Sequence, residues 1–210
     1  MKRILLAFAV ATMANGSMAM DCSSALKDEL IRRNAVDQAA RKALATAPKS
    51  KEALDSALQI DADNTAFMRA MLEKCGWPMK SVVGEDAAKA AWRLTQHADM
   101  DPEYQVLAAR QLKSAVLREE AEPWDLAVLM DRNRRLNDLP QTYGMQYFSA
   151  VEGVIEFYSI VSPAQLDSRR KEIGLPSFFC WTSQISKMND GAAIRWPNGV
   201  LFRPEDCKSD

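Results

Sequence analysis

The chain has 210 residues, 48% of them hydrophobic, and its 27 Lys and Arg residues nearly balance its 28 Asp and Glu residues. A net charge of −1, without a long basic run, argues against nucleic acid and anionic membrane surfaces as partners. A chain of this length is expected to form one domain with its own hydrophobic core, or one domain with an appendage.

The first residues have the pattern of a secretory signal peptide. Lys2 and Arg3 precede an almost wholly apolar stretch at residues 4–11, and residues 17–19 read Ser-Met-Ala, which suits cleavage by signal peptidase. The apolar stretch is shorter than the roughly 20 residues that span a bilayer, so an uncleaved anchor is the less favoured alternative. We therefore predict a periplasmic or secreted protein without stable membrane insertion, with residues 1–19 removed.

Four cysteines follow this segment. An even number of cysteines in an exported protein predicts two disulfides, and three pairings are formally open. We favour the two pairings that join segments close in the chain, which are Cys22–Cys75 and Cys180–Cys207. A redox or metal site is the alternative, but the chain has no Cys-x-x-Cys motif and only one histidine. We therefore predict no metal and no cofactor.

Helical periodicity dominates the chain up to about residue 138. Apolar side chains recur at helical spacing, and proline, glycine and capping residues mark where segments start and stop. These signals predict helices over residues 23–47, 51–75 and 85–98, and two more that begin at Pro102 and Pro123, with a break at residues 61–63 as an alternative for the second helix. The predicted apolar face of the fourth helix comprises Val106, Leu107, Leu112, Val116 and Leu117.

The composition changes beyond the fifth helix. Residues 143–161 are rich in aromatic and β-branched side chains and predict a short hairpin, with an irregular loop as the alternative. Ser162 opens a capping-box pattern, and the helix after it is expected to end at Gly174, with Arg170 on a solvated face. In the tail, the Asn-Gly pair at residues 198–199 predicts a second small hairpin.

The sequence therefore predicts a mainly α fold. We expect a compact helical domain of about five to six helices with a short β-hairpin or loop region, and a small disulfide-bracketed C-terminal appendage. The predicted division places the signal peptide at residues 1–19, the helical domain at residues 20–176 and the C-terminal extension at residues 177–210.

The single histidine, His97, lies where the third helix ends, between Gln96 and Asp99. A histidine beside carboxylates can act as a general base or a metal ligand, or it can fix the corner through a hydrogen bond to a carboxylate or carbonyl. On the fifth helix, Asp131 and Arg132 are either a clamp for a substrate or an internal ion pair.

A second group of polar residues surrounds Gly144 in the loop after the fifth helix. Gln141, Tyr143 and Gln146 offer two amides and a phenol beside a flexible glycine. Such a group is typical either of a hydrogen-bonding platform for a ligand or of the shoulder of a hairpin.

Short motifs occur along the chain in a recognisable order. They are Asp37-Gln38, Asn64, Gly76-Trp77-Pro78, Val83-Gly84, Trp92, Gln96-His97-Ala98-Asp99, Gln105, Asp131-Arg132, Pro140-Gln141, Tyr143-Gly144, Gln146, Arg169-Arg170 and Gly174-Leu175-Pro176. In order and spacing, from about Leu26 to Pro176, these motifs resemble a bacterial family catalogued only as domain of unknown function 6624. The chain departs from the family pattern at Met145, where a small polar residue is usual. The resemblance implies one convergent polar pocket that includes Gln105, because it keeps polar residues beyond those that a helical core needs. It implies no established reaction.

Two classes of function are compatible with these features. The first is a binding or interaction module, for example an inhibitor or immunity-type protein, whose partner is a protein or small molecule of the cell envelope. The second is a hydrolase-like enzyme that uses His97 as a base with Asp99 or Asp131. The chain contains neither a GxSxG nor an HExxH motif, so we favour the binding module. In either case we expect one cleft between the third and fifth helices and the loop after Pro140, surrounded by His97, Gln96, Asp131, Arg132, Gln141 and Tyr143.

Overall fold

The computed structural model describes Cys22, residues 25–151, residues 153–201 and Cys207. The predicted signal peptide and its cleavage site lie outside this part of the chain.

The described chain is mainly helical, as predicted. The five helices expected from periodicity correspond to α1, α2, α4, α5 and α6, and α2 continues without a break through residues 61–63. None of the described helices combines the length and the apolar character needed to cross a membrane. The described residues form eight α-helices: α1 (Ala25–Thr46), α2 (Lys51–Cys75), α3 (Lys80–Val83), α4 (Glu85–Gln96), α5 (Pro102–Val116), α6 (Pro123–Leu136), α7 (Leu166–Glu172) and α8 (Phe178–Met188).

Helix ends coincide with residues whose chemistry starts or stops a helix. Ser50 caps α2 by accepting a hydrogen bond from the backbone N–H of Ala53 at 3.1 Å. Asp101 caps α5 in the same way through the N–H of Tyr104 at 3.0 Å, and proline occupies the first turn of α5. The cap at Asp101 leaves a short corner between α4 and α5, and His97 is its first residue.

The main hydrophobic core forms around α4, which contacts α1, α2, α5 and α6. Small side chains allow neighbouring helices to approach closely, and four alanines on α4 are buried. The core around them includes Leu30, Met68, Met71, Leu72, Leu94, Leu112, Leu126 and Leu129. This central position of α4 fixes the place of its C-terminal end and of the corner that follows.

The predicted apolar face of α5 is partly wrong. Leu112 is fully buried, but Val106 is 42% and Leu117 is 69% exposed. The buried face instead includes Tyr104 and Gln105, both fully buried. Their polar groups find hydrogen-bond partners inside the protein, which makes their burial tolerable. The buried face of α5 is therefore not the one that apolar side chains alone mark.

A small three-stranded sheet follows α6. Strands β1 (Tyr147–Val151) and β2 (Val154–Phe157) form the predicted antiparallel hairpin, and β3 (Ala193–Arg195) pairs with β2 in parallel. The hairpin predicted around residues 198–199 lies partly outside the described residues and stays a prediction; its expected first arm, β3, pairs with β2.

Helix α8 and the sheet share a second hydrophobic core. This core contains Ile155, Ile160, Leu166, Phe178, Trp181 and Ile185. Helix α8, which lies in the predicted C-terminal extension, therefore packs on β2 and α7.

Both favoured disulfides are present in the structure. Cys180–Cys207 has a Cα–Cα distance of 5.1 Å. Cys22–Cys75, at 5.5 Å, ties the residues before α1 to the end of α2.

The capping box predicted at Ser162 is wrong. The backbone of Ser162 is left-handed, with φ of 41°, and its side chain makes no capping hydrogen bond. A 3₁₀ turn at Pro163–Gln165 precedes α7 instead. Arg169 on α7 holds this turn by donating to the carbonyls of Val161 and Ser162.

Candidate functional site

The side chain of His97 is oriented by a carboxylate on another helix. Its Nδ1 lies 2.8 Å from Oδ1 of Asp37, which comes from the middle of α1 and is 1% exposed. The two residues are 60 positions apart in the chain. The carboxylates predicted to assist His97 bind other groups: Asp99 binds Arg132, and Asp131 binds backbone N–H groups.

The carboxyl group of Asp37 is held in its ionised form. Burial raises its pKa, but the hydrogen bond and charge of His97, the hydrogen bond from Gln38 and the charge of Arg41 outweigh burial, and the net pKa is lowered. An ionised carboxylate can only accept hydrogen bonds, so Nδ1 of His97 must carry the proton. In neutral His97 the unprotonated nitrogen is then Nε2, which makes no hydrogen bond to any residue in the described ranges.

A second carboxylate and an arginine complete this cluster. The Arg41 guanidinium contacts Asp61 of α2 and lies 3.5 Å from Asp37. Burial raises the pKa of Asp61, although the contact with Arg41 opposes this rise. Asp37, Asp61 and His97 offer three ligand atoms within 4.8 Å of one another, a set that could hold a cation. Because Arg41 already contacts both carboxylates, a cation would have to displace its guanidinium.

His97 and Asp61 line an open cavity of about 540 Å³ between α2 and the α4–α5 corner. An ion pair between Arg69 and Asp101, at 2.5 Å, lies at its wall. The rest of the lining is mostly apolar and consists of Leu58, Ala62, Thr65, Ala66, Ala98 and Met100. The cavity thus combines an oriented imidazole with fixed charges and apolar surface.

Asp99 and Arg132 bind one another. Arg132 donates from Nε and Nη2 to the two oxygens of Asp99, at 2.8 and 2.5 Å. Fully buried Gln105 braces the same corner, since its Nε2 lies 3.3 Å from the carbonyl oxygen of Gln96 and 3.4 Å from Oδ1 of Asp99. Asn133 donates to Oε1 of Gln105 at 3.1 Å. These hydrogen bonds join the α4–α5 corner, α5 and α6.

Asp131 holds the loop that follows α6. Its fully buried carboxylate accepts from the backbone N–H groups of Thr142, Tyr143 and Met145 at distances of 2.6 to 3.1 Å. Burial raises the pKa of Asp131 to about 6, while the amide hydrogen bonds and the charge of Arg170 limit the rise. At neutral pH the carboxylate is therefore ionised and committed to the loop.

The side chain of Gln141 links the loop after α6 to the residue that follows β2 through hydrogen bonds. Its Nε2 donates to the carbonyls of Gln146 and Tyr158 at 2.9 and 2.8 Å, and its Oε1 accepts from the N–H of Gln146 at 2.8 Å. Gly144 is required here, because it has φ of 72° and an added Cβ would lie 2.6 Å from Cε2 of Phe178. The side-chain amide of Gln141, the backbone of Gln146 and the glycine therefore belong to the shoulder of the hairpin.

Arg170 was expected on a solvated face and is instead fully buried. It donates to the carbonyls of Tyr143 and Pro176, and burial lowers its pKa to about 10. The side chain of Tyr143 is also buried in the main core. The loop, Asp131 and Arg170 thus form one internal polar network.

The six side chains predicted around one cleft therefore do not share one set of contacts. Within the described chain, no hydrogen bond or ion pair joins His97 to Asp131, Arg132 or Gln141. Sequence reasoning placed these residues together because polar groups at helix ends are expected to face a ligand. Here Asp131 and Gln141 bind backbone amides and carbonyls instead. Arg132 binds Asp99, and His97 binds Asp37. In the sequence, Asp37 stands out only as part of a matching motif, and no local pattern predicts its hydrogen bond to His97.

The profile of a family described as "Family of unknown function (DUF6624)" matches residues 24–191 of this chain. The chain belongs to this family. The DUF6624 match covers α1 to α8 and so extends past the resemblance expected up to Pro176. No curated protein and no solved structure matches the chain significantly.

Proposed function

We propose that this DUF6624 protein is an exported binding or interaction module whose ligand site is the cavity beside His97. The hydrogen bond between buried Asp37 and Nδ1 of His97 carries the proposal. It makes Nε2 of the neutral imidazole an acceptor that a ligand donor can use. Burial of the Asp37 carboxylate has a free-energy cost. A role in orienting the His97 imidazole at the cavity accounts for that cost.

The rim of the cavity favours a protein partner. Met100 is 86% and Leu58 is 46% exposed, so apolar side chains stand in water beside the charges of Asp61 and Arg69. An apolar surface combined with a few charged or aromatic anchors is typical of an interface centre. An inhibitor or immunity-type role in the cell envelope agrees with this surface, with the signal-peptide pattern and with the two disulfides.

The single histidine makes this proposal directly testable. Histidine-selective ¹⁵N labelling gives the resonances of His97 alone, and we expect the Nδ1-protonated tautomer in the free protein. A screen of small hydrogen-bond donors by NMR should yield ligands that shift the Nε2 resonance. His97→Ala should abolish their binding, whereas Arg110→Ala, at an exposed position on α5, should leave it unchanged. Ligands that bind His97→Ala as well as the wild type would refute the assignment of the site.

The same hydrogen bond favours a second candidate, a hydrolase-like enzyme with His97 as general base. A base oriented by a carboxylate is the arrangement that many hydrolases use, and Asp37 takes the place predicted for Asp99 or Asp131. Since no hydroxyl or thiol of the described residues bonds to His97, the base would activate a water molecule.

Hydrolysis of p-nitrophenyl acetate tests the enzymatic candidate. The wild-type rate should exceed those of His97→Ala and Asp37→Asn by about 10²-fold, the lower end of general-base catalysis. Circular dichroism must show that both variants are folded. Equal rates in wild type and His97→Ala would exclude general-base catalysis by His97 on this ester. The binding module would then be the remaining candidate function.

A further inference from the structure

A groove between α5 and α6 combines an apolar floor with a positively charged rim. Val106, Ala109 and Met130 form the apolar floor, and Val106 is 42% exposed. The cavity in the groove is open to solvent and has a volume of about 270 Å³. The residues that line it differ from those that line the His97 cavity. The groove is therefore a separate surface of the protein.

Three basic side chains form the rim of this groove. Arg110 and Lys113 of α5 are exposed, and Arg134 of α6 lies on the opposite wall. Within the described chain, no acidic side chain lines the groove. The His97 cavity differs in this respect, since Asp61 and Asp101 are part of its wall.

The acids of the two helices leave the charge of the rim unbalanced. Helix α5 contains one acid, Glu103, which lies in its first turn and outside the lining of the groove. On α6, Asp125 is paired with a lysine of α4, and the buried Asp131 binds the loop. Arg110 and Lys113 make no ion pair with any residue in the described ranges. Because the whole chain has a net charge of −1, the positive rim is a local feature.

The donors of the rim are accessible to a partner. Arg110 and Lys113 are exposed side chains on the surface of α5. Nε of Arg134 donates to the carbonyl of Pro140 at 2.5 Å, which holds the guanidinium in place. Its two terminal nitrogens make no hydrogen bond to a described residue. That edge of the guanidinium is therefore free to pair with a carboxylate.

The size of the groove and the spacing of its charges favour a peptide segment over a small molecule. Sites that enclose a drug-sized ligand measure about 300–1,000 Å³, and this open groove is smaller. Asn133 binds Gln105 near the start of α5, so Arg134 lies near that end of the groove. Lys113 lies eight residues further along α5, roughly 12 Å away along the helix axis. Four residues of an extended peptide span roughly 13 Å, so carboxylates on both sides of one apolar residue match this spacing.

We propose that this groove docks an acidic segment of a partner protein, in which carboxylates flank one apolar side chain. The apolar side chain packs on the apolar floor. The carboxylates pair with Arg134 at one end of the groove and with Arg110 and Lys113 towards the other. An apolar anchor surrounded by a polar rim is the usual arrangement of a protein interface, and complementary charges select the partner. This docking does not depend on the role of His97.

Binding of a synthetic peptide tests the proposal. The probe is a dye-labelled heptapeptide with a central leucine and three acidic residues on each side, followed by fluorescence anisotropy. We expect saturable binding with a Kd of about 100 μM at low salt, weakened about tenfold at about 0.5 M salt. Replacing the leucine with serine should weaken binding about tenfold, because the burial of an apolar side chain is lost. His97→Ala should bind the peptide as the wild type does.

Two charge reversals separate docking in the groove from general electrostatic attraction. Lys113→Glu reverses one charge of the rim and should weaken peptide binding about tenfold. Lys42→Glu makes the same change in net charge at an exposed position on α1, which contacts α2 and α4, and should change the Kd less than twofold. If Lys113→Glu does not fold, Arg110→Glu replaces it and should give the same loss.

Four results would overturn the proposal. The first is no saturable binding of the leucine peptide up to about 1 mM. Equal affinity for the leucine and serine peptides would mean that the apolar floor holds no anchor. Equal losses in Lys113→Glu, or Arg110→Glu in its place, and in Lys42→Glu would leave only non-specific attraction. Displacement of the peptide by phosphatidylglycerol vesicles, but not by phosphatidylcholine vesicles, would assign the groove to an anionic lipid surface instead.

Discussion

Replacing Asp131 with alanine should cost this protein a large share of its stability. The carboxylate is fully buried and accepts from three backbone N–H groups of the loop after α6. Each buried donor left without an acceptor costs about 1–3 kcal/mol. Because the loop can relax and water can enter, we expect a loss of about 3–5 kcal/mol, out of a total of about 5–15 kcal/mol for a domain of this size.

Replacing Asp131 with asparagine should lower the free energy of unfolding less than replacing it with alanine. Its remaining oxygen can still accept, but its NH₂ group meets an N–H donor, so the loss should be about 1–3 kcal/mol. Urea unfolding at about pH 8, above the pKa of about 6, keeps the wild-type carboxylate ionised and can be followed by tryptophan fluorescence. His97→Ala removes a half-buried side chain and should lower the free energy of unfolding less than Asp131→Ala does. A loss below about 1 kcal/mol in Asp131→Ala would refute the view that this carboxylate holds the loop.

Three further outcomes follow from other contacts. The pKa of Asp37 is lowered below its ordinary 3.8, so its ionised form stabilises the fold above that pH, and the excess stability of wild type over Asp37→Asn in urea titrations should shrink as pH falls below 3.8. Gly144→Ala should lower stability by about 2–4 kcal/mol in thermal melts, since φ is 72° and the new Cβ would meet the Phe178 ring. Thiol titration of the oxidised, denatured protein should find no free cysteine, and reduction should cost about 2–4 kcal/mol per bridge, whereas two reactive thiols would contradict the pairing.

The helices could be predicted because their signals are local. Pro48 ends the periodic segment of α1, Gly76 follows α2, and Asp101 with Pro102 starts α5. Each of these residues acts through its own backbone or its nearest neighbours. The face of α5 was harder to predict, because the burial of Gln105 depends on Asn133 of another helix.

The site was predictable only in part, because its decisive contact is not local. His97 could be singled out from its position at a helix end, but its partner Asp37 lies 60 residues earlier in the chain. Asp99 was the obvious candidate from spacing, and it binds Arg132 instead. From the sequence, Asp131 beside Arg132 is compatible with a substrate clamp, an internal ion pair or a partner of His97, and it binds backbone N–H groups instead. A buried carboxylate that faces backbone N–H groups cannot be told from a catalytic one without coordinates.

The polar face of α1 explains how this helix supplies a carboxylate to the proposed His97 site. The buried apolar residues of α1 with described side chains are Leu26 and Leu30, both near its start. Beyond them, polar contacts from Arg33, Asp37 and Arg41 recur every four residues, a spacing that keeps them on one side of the helix.

Arg33 binds Asn64, Asp37 binds His97 and Arg41 binds Asp61. Such pairs contribute little net stability, since desolvation offsets much of their attraction, but they are satisfied in only one register of α1 against α2 and α4. The Cys22–Cys75 bridge restrains the same helix just before its start. A helix held by register-specific polar pairs, rather than by an apolar stripe along its length, keeps Asp37 fixed against His97 at the cavity where the proposed ligand binds.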